Sequence, residues 1–137
     1  MDGRETVNSL AAYRAVEGIG ADPEAFMKMA LDAARTFLLQ AEAAINEGDR
    51  RKKARALGSA AQVVEFMLGL TGIERGPLSD CLASVYQYTL AAILKGNAGD
   101  DGEAVIAGRV ALEELAAVWR KVFPDTFAAE GFPDAAC

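Results

Sequence analysis

Acidic side chains are the first candidates for chemistry in this sequence, because neighbouring carboxylates can transfer protons or bind metal ions. Glu113 and Glu114 are adjacent. Adjacent side chains on a helix point about 100° apart, so these two cannot share a proton as a catalytic pair would. Asp100, Asp101 and Glu103 form a second acidic group. Their spacing does not match a calcium-binding loop, whereas the start of a capped helix explains them.

Histidine is missing from the sequence, which removes histidine-based triads, Glu-x-x-His metal sites and bundles that transfer phosphate through an imidazole. The glycine-containing segment 69–72 lacks the lysine and the preceding strand of a phosphate-binding loop. We therefore predict that the chain is not an enzyme, and that it has no catalytic residues, no metal site and no cofactor.

A cluster of positive charge lies in the segment 50–55, which contains Arg50, Arg51, Lys52, Lys53 and Arg55. The cluster falls at a predicted helix start, where the helix dipole disfavours positive charge. Such a run usually faces water, and a site for an acidic partner is the alternative. The whole chain carries a net charge of −6, opposite to the basic footprint of proteins that bind nucleic acid, so we expect no nucleic-acid partner.

The two cysteines, Cys81 and Cys137, are far apart in the sequence, and their spacing indicates neither a disulfide framework nor a metal site. We expect two reduced thiols. Charged and polar residues interrupt the N-terminus, which therefore has no continuous apolar core of signal-peptide length, and no segment approaches the length of a membrane span. These features predict a cytoplasmic protein without a membrane span.

The segment 63–70 is the most apolar part of the chain, since only Glu65 and Gly69 interrupt its large apolar side chains. On a helix this run is apolar nearly all round, whereas a helix on the surface of a small bundle needs apolar side chains on one face. We expect at least two of Phe66, Met67 and Leu70 to be core residues. The excess predicts an uncovered apolar patch, which usually marks a partner site.

The rest of the sequence has the periodicity of helices, punctuated by glycine and proline, without a strand pattern of useful length. The predicted helices run from Asp22 and Pro23 to near Gly48, from Asp49 to about Gly72, from Pro77 to Gly96 and Asn97, and from Asp100 or Asp101 to Pro124. The length of 137 residues suits one domain. We predict an all-α, antiparallel up-down-up-down four-helix bundle at 21–123, an N-terminal helical arm at 1–20 and a weakly structured C-terminal tail at 124–137.

Several residues outside the apolar run are also candidates for partner binding. Leu10, Tyr13 and Val16 recur at spacings of three and give the arm one apolar edge. Leu39 falls in the outer row of the first helix, either as a single surface leucine or as part of a docking surface. Tyr86 and Tyr88 lie about 200° apart on the third helix, so we expect one hydroxyl to reach solvent or a partner.

Four blocks of sequence, in order, resemble the FliS family of flagellin export chaperones. The blocks are Tyr13, Val16, Gly20, Ala21, Asp22 and Pro23; Ala41, Ala44, Ile45, Gly48 and Asp49; Leu82, Val85, Tyr86 and Tyr88; and Leu112, Glu113, Glu114, Leu115, Trp119 and Arg120. The chain departs from the family where Tyr-Asp-Gly-Ala is replaced by the segment 31–34, and where Leu-Asn is replaced by Phe66 and Met67. The second change makes the surface more apolar.

The resemblance implies a bacterial, cytoplasmic chaperone that binds the apolar C-terminal helical segment of flagellin. Such a chaperone prevents premature polymerisation and assists flagellar type III secretion and flagellum assembly. The resemblance also suggests that the arm around Tyr13 lies on the bundle and is displaced by the client, with permanent packing as the alternative. It allows a second flagellar regulator as a partner, and we expect a monomer or a weak homodimer. The candidate partner-binding residues are Leu10, Tyr13, Val16, Leu39, Val63, Phe66, Met67, Leu70, Tyr86 and Tyr88.

A second class of function is consistent with the same residues. Excess apolar surface can pair two copies of one bundle in a symmetric interface. The chain would then be a homo-oligomerising helical structural or adaptor module without a flagellin client.

Overall fold

The computed structural model describes residues 23–73 and 76–122, which form four α-helices and no strand. The helices are α1 (Pro23–Glu47), α2 (Arg50–Leu70), α3 (Pro77–Gly99) and α4 (Gly102–Val122). The all-α, four-helix prediction is confirmed. The up-down-up-down order stays a prediction, and the arm at 1–20 and the tail at 124–137 lie outside the described residues.

Local cap chemistry sets two of the helix starts. The Asp49 carboxylate accepts a hydrogen bond from the Lys52 backbone N–H at 3.0 Å, as expected for an N-cap residue before α2. At α4 the cap is Asp101, whose carboxylate accepts from the Ala104 N–H at 3.1 Å. The other candidate, Asp100, has φ 51° and ψ 37° and terminates α3 in the left-handed conformation.

The predicted end of α3 at Gly96 and Asn97 is too early, because the helix continues to Gly99. Gly96 is needed for packing, since a Cβ atom there would overlap Cγ2 of Val105 on α4. Gly108 faces α3 in a similar way, and its Cβ would lie 3.1 Å from Cβ of Ala92. Both glycines therefore allow α3 and α4 to approach closely.

Each helix packs against two others, because α1 contacts α2 and α4, and α3 contacts the same two. The core between them is lined mainly by leucine, alanine and a few larger side chains, which include Leu31, Leu38, Leu57, Val64, Met67, Tyr86, Leu112 and Leu115. Small core residues such as Ala34, Ala60 and Ala116 let the helix axes come close together. This arrangement leaves one long face of every helix outside the core.

A buried lysine links the start of α2 to the end of α3. Lys53 of α2 is buried, and its Nζ donates to the Asn97 carbonyl at 2.9 Å and to the Asp100 carboxylate. The hydrogen bond from Lys53 lowers the pKa of the Asp100 carboxyl below its usual value. The lysine thus fixes the end of α3 against the start of α2.

Two further predictions concern the cysteines and the membrane. Cys81 on α3 is disulfide-bonded, so the prediction of a reduced thiol is wrong for Cys81. Cys137 lies outside the described residues. Separation in the sequence does not decide which sulfur atoms meet in space. In the described part of the chain, no helix is long and apolar enough to cross a membrane.

Candidate partner-binding groove

The apolar run at 63–70 is more fully covered than its sequence predicts. Val64 and Met67 are completely buried, and Val63 and Leu68 pack against the core from its edge. Phe66 and Leu70 are half-buried. The prediction that at least two of Phe66, Met67 and Leu70 are core residues is therefore wrong, because only Met67 belongs to the core. None of these side chains is among the exposed large apolar residues of the described chain. The most exposed large apolar side chains of the described residues are instead Leu94, Met29 and Tyr88.

The neighbouring helix α1 explains why this run is covered. The Phe66 ring meets the Phe26 ring edge to face, with centroids 5.7 Å apart and planes inclined by 65°. Phe26 thus covers a flank of α2 that the helical pattern alone leaves outside the core. Because α1 and α3 pack on opposite flanks of α2, the buried arc of this helix is wider than that of a helix with one neighbour.

A shallow groove with mostly small and apolar side chains lies between α3 and α4 on the described surface. Its two most prominent side chains are Tyr88 of α3, which is 54 % exposed, and Val110 of α4, which is 38 % exposed. The remaining walls consist of Ser84, Val85, Ala91, Ala92, Ala104, Ala107, Ala111 and Glu114. The floor is mostly alanine, so the backbone of another helix can approach closely.

The groove extends past Tyr88 and Ala107, which lie at its middle, to a charged end. At that end Lys95 approaches Asp101 at 3.8 Å, and Glu103 lies beside them. Glu114 lies at the opposite end. Polar ends and an apolar centre are the general features of a site that orients a ligand through its rim and binds it through its core.

The two tyrosines of α3 have opposite environments, as their predicted separation requires. Tyr86 is completely buried, and its hydroxyl approaches Sδ of Met27 at 3.8 Å. Burial raises the pKa of the Tyr86 phenol, while a hydrogen bond with the Trp119 side chain acts in the opposite direction. Tyr88 instead presents its ring to the groove. Tyr86 is therefore a core residue, and Tyr88 is available for contact.

An ion-pair network fixes α4 to α1. Arg109 of α4 donates to both carboxylate oxygens of Glu42, from Nε at 2.6 Å and from Nη2 at 3.2 Å. Arg109 also donates to Glu113, one turn further along α4, which in turn accepts from Arg35 of α1 at 2.6 Å. The hydrogen bond to Glu42 raises the pKa of the Arg109 guanidinium above its usual value. The network holds one wall of the groove in position.

The structure separates the candidate residues predicted from sequence. Tyr88 is the one that lines the groove. Val63, Phe66 and Leu70 lie half-buried on α2, Met67 and Tyr86 are core residues, and Leu39 of α1 is 39 % exposed away from the groove lining. Leu10, Tyr13 and Val16 lie outside the described residues. Met67 and Tyr86 therefore have no surface with which to contact a partner in this conformation.

The groove residues on α4 were missed because alanine gives little hydrophobic signal in a sequence. Ala104, Ala107, Val110, Ala111 and Glu114 recur at spacings of three and four, which places them on one face of the helix. The sequence signal that could have identified these groove residues is the strip of small side chains on the outer face of α4.

Comparison with known proteins identifies the family of this four-helix chain. The family model described as "Flagellar protein FliS" matches residues 6–126, which is most of the chain. This chain belongs to the FliS family. Among the relatives is the flagellar secretion chaperone FliS of Salmonella typhimurium, which is 26% identical over 125 residues. The alignment covers 87% of this chain and 93% of the relative. The FliS match includes all four helices and therefore both walls of the groove.

Proposed function

We propose that the chain is a cytoplasmic chaperone of bacterial flagellum assembly, which binds the apolar C-terminal helical segment of flagellin and releases it to the flagellar type III export apparatus. The single observation that carries the proposal is the apolar groove between α3 and α4 in a chain of the FliS family. A chaperone of this kind needs only to cover the segment reversibly, so it needs no catalytic group.

The dimensions and composition of the groove suit a helical client. From Ser84 to Lys95 the groove follows α3 for about 16 Å, the length of about three helical turns. An amphipathic helix laid into such a groove inserts apolar side chains at every third or fourth position. Tyr88 supplies apolar contact area at the centre, where interface residues contribute most to affinity, and Val110 supplies it toward the end at Glu114.

The surface on α1 and α2 is proposed as a second, weaker part of the client site. Val63, Phe66 and Leu70 are half-buried and keep exposed edges, and Leu39 is a separate exposed leucine. A client chain that leaves the groove would cover these edges if it continued around the bundle. Met67 and Tyr86 contribute through the core, because they shape the helices that carry the exposed residues.

We propose further that the segment containing Leu10, Tyr13 and Val16 covers apolar surface of the bundle and is displaced by the client. Deletion of the first 17 residues tests this part directly. A displaceable cover predicts that the shortened protein binds the flagellin segment more tightly than the full chain, at an unchanged unfolding temperature. If the shortened protein fails to fold, Tyr13 belongs to the permanent core and this part is rejected.

The proposal is tested by titrating the full chain with a synthetic peptide of the flagellin C-terminal segment in a calorimeter. We expect a saturable complex and a negative heat-capacity change, which marks burial of apolar surface. Light scattering with intact unpolymerised flagellin should give a monomer or weak homodimer alone and a defined complex with flagellin. A tight homodimer that ignores flagellin would instead support the structural or adaptor module.

A further flagellar regulator is the remaining partner to be tested. Its binding to the preformed complex would be measured in the same calorimeter, with the chaperone alone as reference. Binding to the complex would place the regulator on surface that the client leaves uncovered.

A further inference from the structure

A second candidate surface lies on the outer face of α2, on the side of the helix opposite the core. Its exposed residues fall within an arc of about 100° and are Arg51, Ala54, Arg55, Gly58, Gln62 and Glu65. The core residues Ala56, Ala60 and Met67 lie on the other side of α2. The face carries no large apolar side chain, so its chemistry differs from that of the groove between α3 and α4.

Arg51 and Arg55 dominate the electrostatics of this face. Of the other cations in the cluster, Arg50 approaches Asp100 at 3.7 Å and Lys52 approaches Glu47 at 3.5 Å. Arg51 and Arg55 form no ion pair with any residue in the ranges 23–73 and 76–122. They lie four residues apart near the positive end of the helix dipole, where each repels the other and both oppose the dipole.

Gly58 leaves the middle of this face without a side chain. It lies within α2, where glycine weakens a helix relative to alanine. A Cβ atom at Gly58 would meet nothing within 4 Å, so packing inside the chain does not require glycine there. Ala54 lies one turn earlier on the same face and is also exposed. Together the two residues form a flat strip beside Arg51 and Arg55.

We propose that the outer face of α2 binds an acidic helical segment of a second protein. Two carboxylates spaced four residues apart on that segment would each bond one guanidinium, of Arg51 and of Arg55, with the geometry that arginine and carboxylate favour. The backbone of the segment would lie close to Ala54 and Gly58. Glu65, about 21 Å from Arg51 along the helix, would take a cation of the segment and so fix its direction.

Charge complementarity favours this partner over an apolar one. The chain has a net charge of −6, so a partner that recognised only the overall field would be basic. At Arg51 and Arg55 the outer face of α2 is positively charged, in contrast to the negative net charge of the chain, and it attracts acidic groups there. The surface shares no residue with the groove between α3 and α4, so a client confined to that groove and an acidic partner can bind at the same time.

The test uses the full chain and a fluorescein-labelled, 15-residue helical peptide. The peptide carries two glutamates four residues apart near one end, alanines between them, and a lysine near the other end. We expect saturable binding by fluorescence anisotropy that weakens as salt rises. A control peptide of the same composition places the glutamates two residues apart, on different sides of its helix, and should bind at least tenfold more weakly.

Three variants separate docking from folding. Arg55→Glu should weaken binding of the probe peptide at least tenfold, whereas Lys121→Glu, an equal charge change at an exposed position on α4, should leave it within twofold. Gly58→Gln should raise the unfolding temperature because it removes a helix glycine, and should still weaken binding at least tenfold by filling the strip. A binding loss that accompanies higher stability cannot be a folding defect.

Three results would overturn the proposal. The first is equal binding of the two peptides, and the second is binding that Arg55→Glu does not change. The third is an Arg55-dependent association with vesicles containing one quarter phosphatidylglycerol, without binding of the probe peptide, which would make this face a lipid-binding surface.

Discussion

Arg109 and Glu42 form a two-point ion pair that joins α4 to α1, with Nε to Oε2 at 2.6 Å and Nη2 to Oε1 at 3.2 Å. Both side chains are largely shielded from solvent. Planar pairing of a guanidinium with a carboxylate at two points is among the stronger hydrogen-bonded arrangements in proteins. The pair also determines where α4 lies, and hence the position of one wall of the groove.

Glu42→Gln should lower the free energy of unfolding by about 1–3 kcal/mol, because it leaves part of the charge of Arg109 uncompensated in a shielded place. The measurement is urea denaturation followed by circular dichroism. Glu114→Gln is the matched control, since Glu114 is exposed, and it should change stability by less than about 0.5 kcal/mol. Equal effects of the two variants would show that the network does not hold α1 and α4 together.

Tyr86 should make the protein lose stability in alkaline solution. Because burial raises the pKa of its phenol in the folded state, the contribution is fully present below the unfolded-state pKa of about 10. It is then lost as the pH rises from there toward the folded-state pKa. Tyr86→Phe should flatten the fall of unfolding temperature between pH 9 and 11, whereas Tyr88→Phe should leave it unchanged. A wild-type slope in Tyr86→Phe would contradict the assignment.

Tyr88→Ala should weaken binding of the flagellin C-terminal peptide roughly tenfold, which corresponds to about 1.4 kcal/mol. The reason is the loss of the largest exposed apolar side chain in the groove. Stability should hardly change, because the ring is mostly outside the core. Leu94→Ala is the control on the same helix, since Leu94 is 71 % exposed but does not line the groove. If Leu94→Ala weakens binding as much as Tyr88→Ala, the client lies elsewhere.

Two glycine-to-alanine changes should have opposite effects on thermal stability. Gly58→Ala should stabilise the protein by about 0.5–1 kcal/mol, because the position is helical and open. Gly96→Ala should destabilise it by about 1–3 kcal/mol, because the new methyl group overlaps Val105. Differential scanning calorimetry of the two variants measures both changes. Stabilisation by Gly96→Ala would mean that α3 and α4 separate without cost.

Much of the fold follows from chemistry that acts within a few residues. The Asp49 cap and the start of α3 at Pro77 were predictable because each depends on neighbours in the sequence. The end of α3 was not predictable in this way. Gly96 is a typical stop signal in sequence, but here it is explained by Val105 on another helix.

The candidate site shows the same limit. The sequence has more apolar residues at 63–70 than one core-facing helix face requires. In the structure Phe26 covers the flank of α2 at Phe66. This cover could not be predicted, because it depends on how α1 and α2 pack. The prediction that one tyrosine of α3 reaches the surface held, because it needed only the helical repeat. The alanine floor beside Tyr88 emerged only when α3 and α4 were seen together.

The buried amine of Lys53 implies that the bundle loosens from one end. This amine ties the turn after α3 to the first turn of α2, whereas the Phe26 and Phe66 rings at the far end meet only by apolar contact. Backbone amides in the last turn of α3, beside Lys53, should therefore resist deuterium exchange longer than those in the last turn of α2. The bundle would therefore open first at the end that carries Phe26 and Phe66, while the end that carries Lys53 stays closed.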